Sequence, residues 1–104
     1  MQAKHQQLQR RLKSFYNKKA SKLGLGLTAS CCTLIERMIN NGVERMVNQG
    51  VIEREEQIQV AERNLAHYLQ KLSEEAQSRG TYPQIGAKAF DSVFNMECPL
   101  WPFC

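Results

Sequence analysis

The chain has 104 residues, of which 42% are hydrophobic and 23% are charged, and its formal net charge is +4. A chain of this length supports one hydrophobic core, so a single domain is expected. Its mean hydropathy is −0.48, and no apolar run reaches the roughly 18–20 residues that cross a bilayer. We therefore expect no membrane partner.

The charged residues are distributed unevenly along the chain. The basic segment, as we call the N-terminal stretch ahead of the first acidic residue, Glu36, contains Lys4, Arg10, Arg11, Lys13, Lys18, Lys19 and Lys22. The rest of the chain has seven basic and ten acidic side chains. A positive segment joined to a mildly acidic remainder indicates a polyanionic partner, most simply DNA or RNA. These seven basic residues are the candidate nucleic-acid-binding residues.

Residues 1–22 are predicted to form a basic N-terminal helix. An uninterrupted apolar stripe recurs there at spacings of three and four, and its members are Leu8, Leu12, Phe15 and Tyr16. At about 100° per residue, one flank of this stripe carries Lys4, Arg11, Lys18 and Lys22, whereas Arg10 and Lys13 lie on the far side. Such a basic row can follow a phosphate backbone while the stripe packs on the fold. The structural alternative is a solvated helix face.

An octapeptide repeat lies within the second predicted element, residues 29–49, which we interpret as a helix or a helix pair. The sequence ERMINNGV (36–43) is followed directly by ERMVNQGV (44–51). Amide residues before a glycine are typical of a helix C-cap, yet the apolar pattern continues through both copies. Either the helix breaks near Gly42, or it continues and the glycine lets a neighbour approach closely, at about 1 kcal/mol. We favour the break.

The strongest helical pattern covers residues 51–78. Apolar residues spaced by seven (Val51, Ile58, Leu65 and Leu72) predict a long amphipathic helix, about 40 Å in length. The repeat is too short to establish a coiled coil. Packing within a small bundle is therefore favoured, and self-association through this apolar face is the alternative.

A short helix over 87–95 and an irregular tail over 96–104 are predicted after the stop at Gly80 and Pro83. Pro99 and Pro102 exclude a helix in the tail. The tail also contains three large apolar residues, Leu100, Trp101 and Phe103, which are costly to leave in water. We expect these residues to dock on the bundle, and the alternative is that they anchor a partner.

No motif in the chain indicates catalysis, a metal site or a cofactor, so we do not expect an enzyme. His5 and His67 lack neighbours at catalytic or metal-binding spacings, and Cys31 and Cys32 are adjacent rather than spaced as zinc ligands. The apolar stretch before Cys31 is too short for a secretion signal. Reduced cysteines and a cytoplasmic location are therefore expected.

These patterns together predict an all-α protein: a small helical bundle with one long amphipathic helix, a basic N-terminal helix and an aromatic, proline-containing tail. The predicted function is that of a non-enzymatic small subunit or accessory factor associated with nucleic acid. The alternative is a helical protein–protein adaptor or inhibitor, which would dock an acidic surface and use its tail as an anchor.

Overall fold

Four α-helices and one two-stranded sheet are found in the computed structural model, which describes residues 2–80, 84–96 and 99–104. The helices are α1 (Gln2–Leu23), α2 (Ala29–Asn48), α3 (Glu55–Ser78) and α4 (Ala87–Met96), and the strands are β1 (Gly26–Leu27) and β2 (Gln84–Ile85). The predicted all-α bundle is confirmed. The stop predicted at Pro83 and the thiol expected at Cys98 lie outside the described residues.

α1 buries one stripe of its surface between α2 and α3. Leu8, Leu12, Tyr16 and Ala20 recur every four residues and are at most 7% exposed. Residues four apart lie on one helix face, so this spacing gives α1 a single apolar side. The basic residues are consequently left on its flanks and its outer side.

α2 continues through Gly42 without a break, so the predicted break is wrong. The helix ends instead at Asn48, just before Gly50, whose φ of +71° suits glycine. There the Gly50 N–H donates to the Val47 carbonyl and the Val51 N–H donates to the Met46 carbonyl. This pair of hydrogen bonds is the Schellman arrangement, which terminates a helix.

α3 begins at Glu55 rather than at Val51, because residues 51–54 form a turn closed by the Arg54 N–H and the Val51 carbonyl. Leu65 and Leu72 are fully buried, as is Tyr68 between them. The apolar face that could have supported self-association is therefore covered within one chain.

A two-stranded parallel sheet, which is not predicted from the sequence pattern, connects the ends of the helices. Gly26 pairs with Gln84, and Leu27 pairs with the fully buried Ile85. Each strand leads directly into a helix, so α2 and α4 begin side by side. The sheet thus fixes one end of the bundle.

Residues 99–104 lie against α2 and α3. Leu100 and Phe103 are each 4% exposed, and Pro102 is fully buried. Trp101 is half-buried, and its Nε1 donates to Gln49 Oε1 at 2.8 Å. This C-terminal segment is therefore part of the hydrophobic core.

Candidate polyanion-binding surface

Lys4 and Arg11, the first two members of the predicted basic row, form ion pairs with acidic residues in the turn before α3 and in the first part of α3. Lys4 Nζ contacts Glu53 Oε1. Arg11 Nη1 and Nη2 donate to the two carboxylate oxygens of Glu55 at 2.9 and 2.6 Å. Arg11 Nε and Nη2 each lie 3.2 Å from an oxygen of Glu62. Lys4 and Arg11, the first half of the basic row, are therefore bound to carboxylates of the same chain.

The ionisation of these groups reflects their pairing. Hydrogen bonds to Glu55 and then to Glu62 raise the pKa of Arg11 above its ordinary value. The same contact lowers the pKa of Glu55, and the hydrogen bond from Lys4 lowers that of Glu53. Lys4 and Glu53 are both largely exposed, so solvent weakens their pair. Arg11 with its two carboxylates is the more sheltered contact, because the Glu62 side chain is only 19% exposed.

Sequence reasoning missed these acidic partners, although a signal was present. Glu53, Glu55 and Glu62 are grouped in the first half of the predicted long helix. Lys4 pairs with Glu53, and Arg11 pairs with Glu55 and Glu62, so the contacts advance in the same direction along both segments. The row that contains Glu62 continues along α3 at steps of four and seven as Ala66, Leu69 and Ser73. None of these three is acidic.

The second half of the basic row, Lys18 and Lys22 together with Lys19, therefore has a different environment. Lys18 and Lys22 are exposed, and Lys19 is partly exposed. Within the described residues, none of the three has an acidic group at ion-pair distance. Spacings of three and four residues make them neighbours on the surface of α1. We call these three lysines the lysine cluster.

Arg10 and Lys13 project from other sides of α1, as the helical spacing predicts. Arg10 is exposed and Lys13 is partly exposed. Neither forms an ion pair with an acidic residue in the part of the chain that the structure describes. They are charged but are not part of the lysine cluster.

Two more basic residues line an open cleft of about 500 Å³ at the start of α4, which also contains Gly86 and Ala87. Of these, Arg79 is held by Glu75, and that contact lowers the pKa of the Glu75 carboxyl. Lys88 is exposed. Because Arg79 is paired with Glu75, the remaining positive charge among the residues that line this cleft is that of Lys88.

The three candidate docking residues of the tail lie on the chain's own bundle. Leu100 and Phe103 are buried, and Trp101 is half-buried and bonded to Gln49. Of these three side chains, Trp101 alone has an exposed part that a partner could contact in this conformation.

The cysteines differ from one another in state. Cys104 is disulfide-bonded, which is contrary to the expected free thiol. Cys31 and Cys32 are free. Burial raises the pKa of Cys31 to about 11, and burial, followed by a hydrogen bond with Cys32, raises the pKa of Tyr16. A disulfide is typical of oxidising compartments, so the cytoplasmic location loses the argument on which it rested and stays a prediction.

The geometry of residues 2–80, 84–96 and 99–104 also bears on metal binding and on membrane insertion. No group of three or more His, Cys, Asp or Glu side chains is placed there to hold a metal ion. His5 lies 3.5 Å from Gln9, nitrogen to nitrogen. No helix in this part of the chain has the length and apolar content that crossing a bilayer requires.

Comparison with protein-family models, with curated proteins and with solved structures finds no match to this chain.

Proposed function

We propose that this protein is a non-enzymatic accessory subunit that holds the phosphate backbone of a nucleic acid with Lys18, Lys19 and Lys22. The observation that carries the proposal is the contrast along α1. Lys4 and Arg11 have carboxylate partners, whereas the lysine cluster has none among the described residues. Mobile ammonium groups on an exposed helix face can contact phosphates without reading base sequence.

The lysine cluster makes fewer contacts with phosphates than all seven basic residues of the basic segment would make. Three lysines on one face release about three counterions, which gives a slope of log K against log salt of roughly −2 to −3 on duplex DNA. Engagement of all seven basic residues would give a slope near −6. Salt dependence therefore distinguishes the lysine cluster from the complete segment.

A protein–protein adaptor is the second candidate. The exposed lysines could also meet an acidic protein surface, since phosphates and carboxylates attract the same cations. The tail does not favour this candidate, because Leu100 and Phe103 are buried in the protein's own core. The only large hydrophobic residue that is highly exposed in the described part is Met96, at 63%.

The experiment is a salt titration of binding to a labelled mixed-sequence duplex, to a single-stranded RNA and to poly-glutamate. The triple variant Lys18→Gln/Lys19→Gln/Lys22→Gln should bind both nucleic acids at least tenfold more weakly at low salt. The control Arg10→Gln/Lys13→Gln removes two charges, rather than three, from other sides of α1 and should bind within about threefold of the parent.

Two results would overturn the proposal. The first is absence of binding to either nucleic acid at low salt. The second is equal weakening by the lysine-cluster variant and by the control, which would indicate attraction to net charge alone. Binding to poly-glutamate in place of the nucleic acids would favour the adaptor.

A further inference from the structure

The C-terminal segment, residues 99–104, is held on the bundle almost entirely by side chains. Asn64 Nδ2 donates to the Trp101 carbonyl, and Arg45 Nη1 donates to the Cys104 carbonyl. Its own backbone contributes a turn, in which the Phe103 N–H donates to the Leu100 carbonyl at 2.6 Å. The described part of the segment has no strand or helix that would tie it to the rest of the fold.

The segment fits a notch in α2. Gly42 has no side chain, and the ring of Phe103 occupies the space beside it, with Pro102 adjacent. A Cβ on residue 42 would lie 2.7 Å from Phe103 Cδ1. The absence of a side chain at Gly42 therefore lets the Phe103 ring pack directly against the backbone of α2.

Two contributions to the docking free energy oppose each other: burial of Leu100, Pro102 and Phe103 favours docking, and the conformational entropy lost on ordering six residues of irregular chain opposes it. A disulfide lowers the conformational entropy of the undocked segment and so favours the docked state. Cys104, the last residue of the segment, is disulfide-bonded.

We propose that residues 99–104 are a redox-sensitive strap, docked over Gly42 while the Cys104 disulfide is intact and released when a dithiol reduces it. In that step the S–S bond accepts two electrons and two protons from the dithiol. Cys104 and its bonded cysteine become thiols, and the dithiol becomes a disulfide. Release uncovers the apolar notch beside Gly42 and exposes Trp101.

The free thiols of Cys31 and Cys32 do not take part. Cys31 lies fourteen residues before Arg45 on the same helix, a separation of about 20 Å. Arg45 binds the Cys104 carbonyl, so the thiols at positions 31 and 32 are distant from the strap. The reductant must therefore be external.

The test compares the full-length protein with and without a dithiol, by tryptophan emission and by limited proteolysis. Trp101 is the sole tryptophan, so its emission reports on the strap directly. Reduction should shift the emission to the red and open a cleavage site within residues 99–104, while the far-UV helical signal is retained. Alkylation mapped by mass spectrometry should label Cys104 only after reduction.

Two variants sharpen the result. Cys104→Ser should show the red-shifted emission without a dithiol and should not respond to one. Cys32→Ala removes a free thiol away from the strap and should behave like the parent in both conditions. Unchanged emission and unchanged proteolysis after verified reduction would overturn the proposal, as would a loss of all helical signal.

Discussion

The ring of Phe103 lies where a side chain on Gly42 would have to be. A Cβ at position 42 would come within 2.7 Å of Phe103 Cδ1 and 2.9 Å of Cε1. Cβ atoms do not approach other atoms this closely, so Gly42 and Phe103 are a matched pair. The absence of a side chain within α2 is what lets the chain terminus enter the core.

Gly42→Ala should therefore destabilise the protein despite improving the helix. Alanine gains about 1 kcal/mol of helix propensity over glycine, whereas overpacking beside a buried ring costs about 1–3 kcal/mol. In a Phe103→Ala background the clash disappears, and the same substitution should stabilise. Denaturant unfolding of the four proteins in this cycle measures the reversal of sign.

Asn41→Ala is the control for that cycle, because Asn41 is exposed on the same turn of α2. It should change stability by the same small amount in both backgrounds. A Gly42→Ala effect that does not depend on Phe103 would contradict the pairing.

Arg11→Gln should lower the melting temperature by several degrees at neutral pH. Pairing with Arg11 lowers the pKa of Glu55 below its ordinary 4.5. The associated stabilisation is therefore complete above about pH 4.5 and is lost as the pH falls through the lower native pKa. The difference in melting temperature between Arg11→Gln and the parent should shrink as the solution is acidified below that value.

Arg10→Gln is the matched control, since the neighbouring arginine is exposed and is not paired with an acidic residue of the described chain. It should have little effect at any pH. Equal losses from the two substitutions would show that overall charge, rather than the Glu55 and Glu62 contacts, sets the stability.

Leu65→Ala should cost about 2–5 kcal/mol of unfolding free energy, as expected for a fully buried leucine. The face of α3 that carries Leu65 is covered within one chain, so the melting temperature of the parent should not depend on protein concentration. A melting temperature that rises with concentration would show that chains share this face.

Cys31 should resist alkylation in the native protein at mildly alkaline pH. Burial favours the neutral thiol and raises its pKa to about 11 from an ordinary 9.0, and only the thiolate reacts. Native stability should accordingly fall as the pH rises from about 9 towards 11. Rates of iodoacetamide labelling at Cys31 against pH, native and in denaturant, measure the shift, and equal rates in both would contradict it.

Periodicity in the sequence is sufficient to predict the local helical elements. The four-residue spacing of Leu8, Leu12 and Tyr16 identifies α1, and the seven-residue spacing of Leu65 and Leu72 identifies α3, because a helix places such residues on one face. The charge asymmetry of the chain was also visible directly. Which lysines remain available to a partner was not, because it depends on the packing of α3 beside α1.

The octapeptide repeat shows where local information ends. Gly42 and Gly50 occupy the same place in nearly identical peptides, yet Gly42 is buried inside α2 and Gly50 terminates it at φ +71°. A Cβ at Gly50 would meet no atom within 4 Å, whereas one at Gly42 would strike Phe103. From the sequence, either glycine could end a helix. Tertiary contacts select between them, because burial of the Phe103 ring, 61 residues further along the chain, stabilises the continuous helix at Gly42.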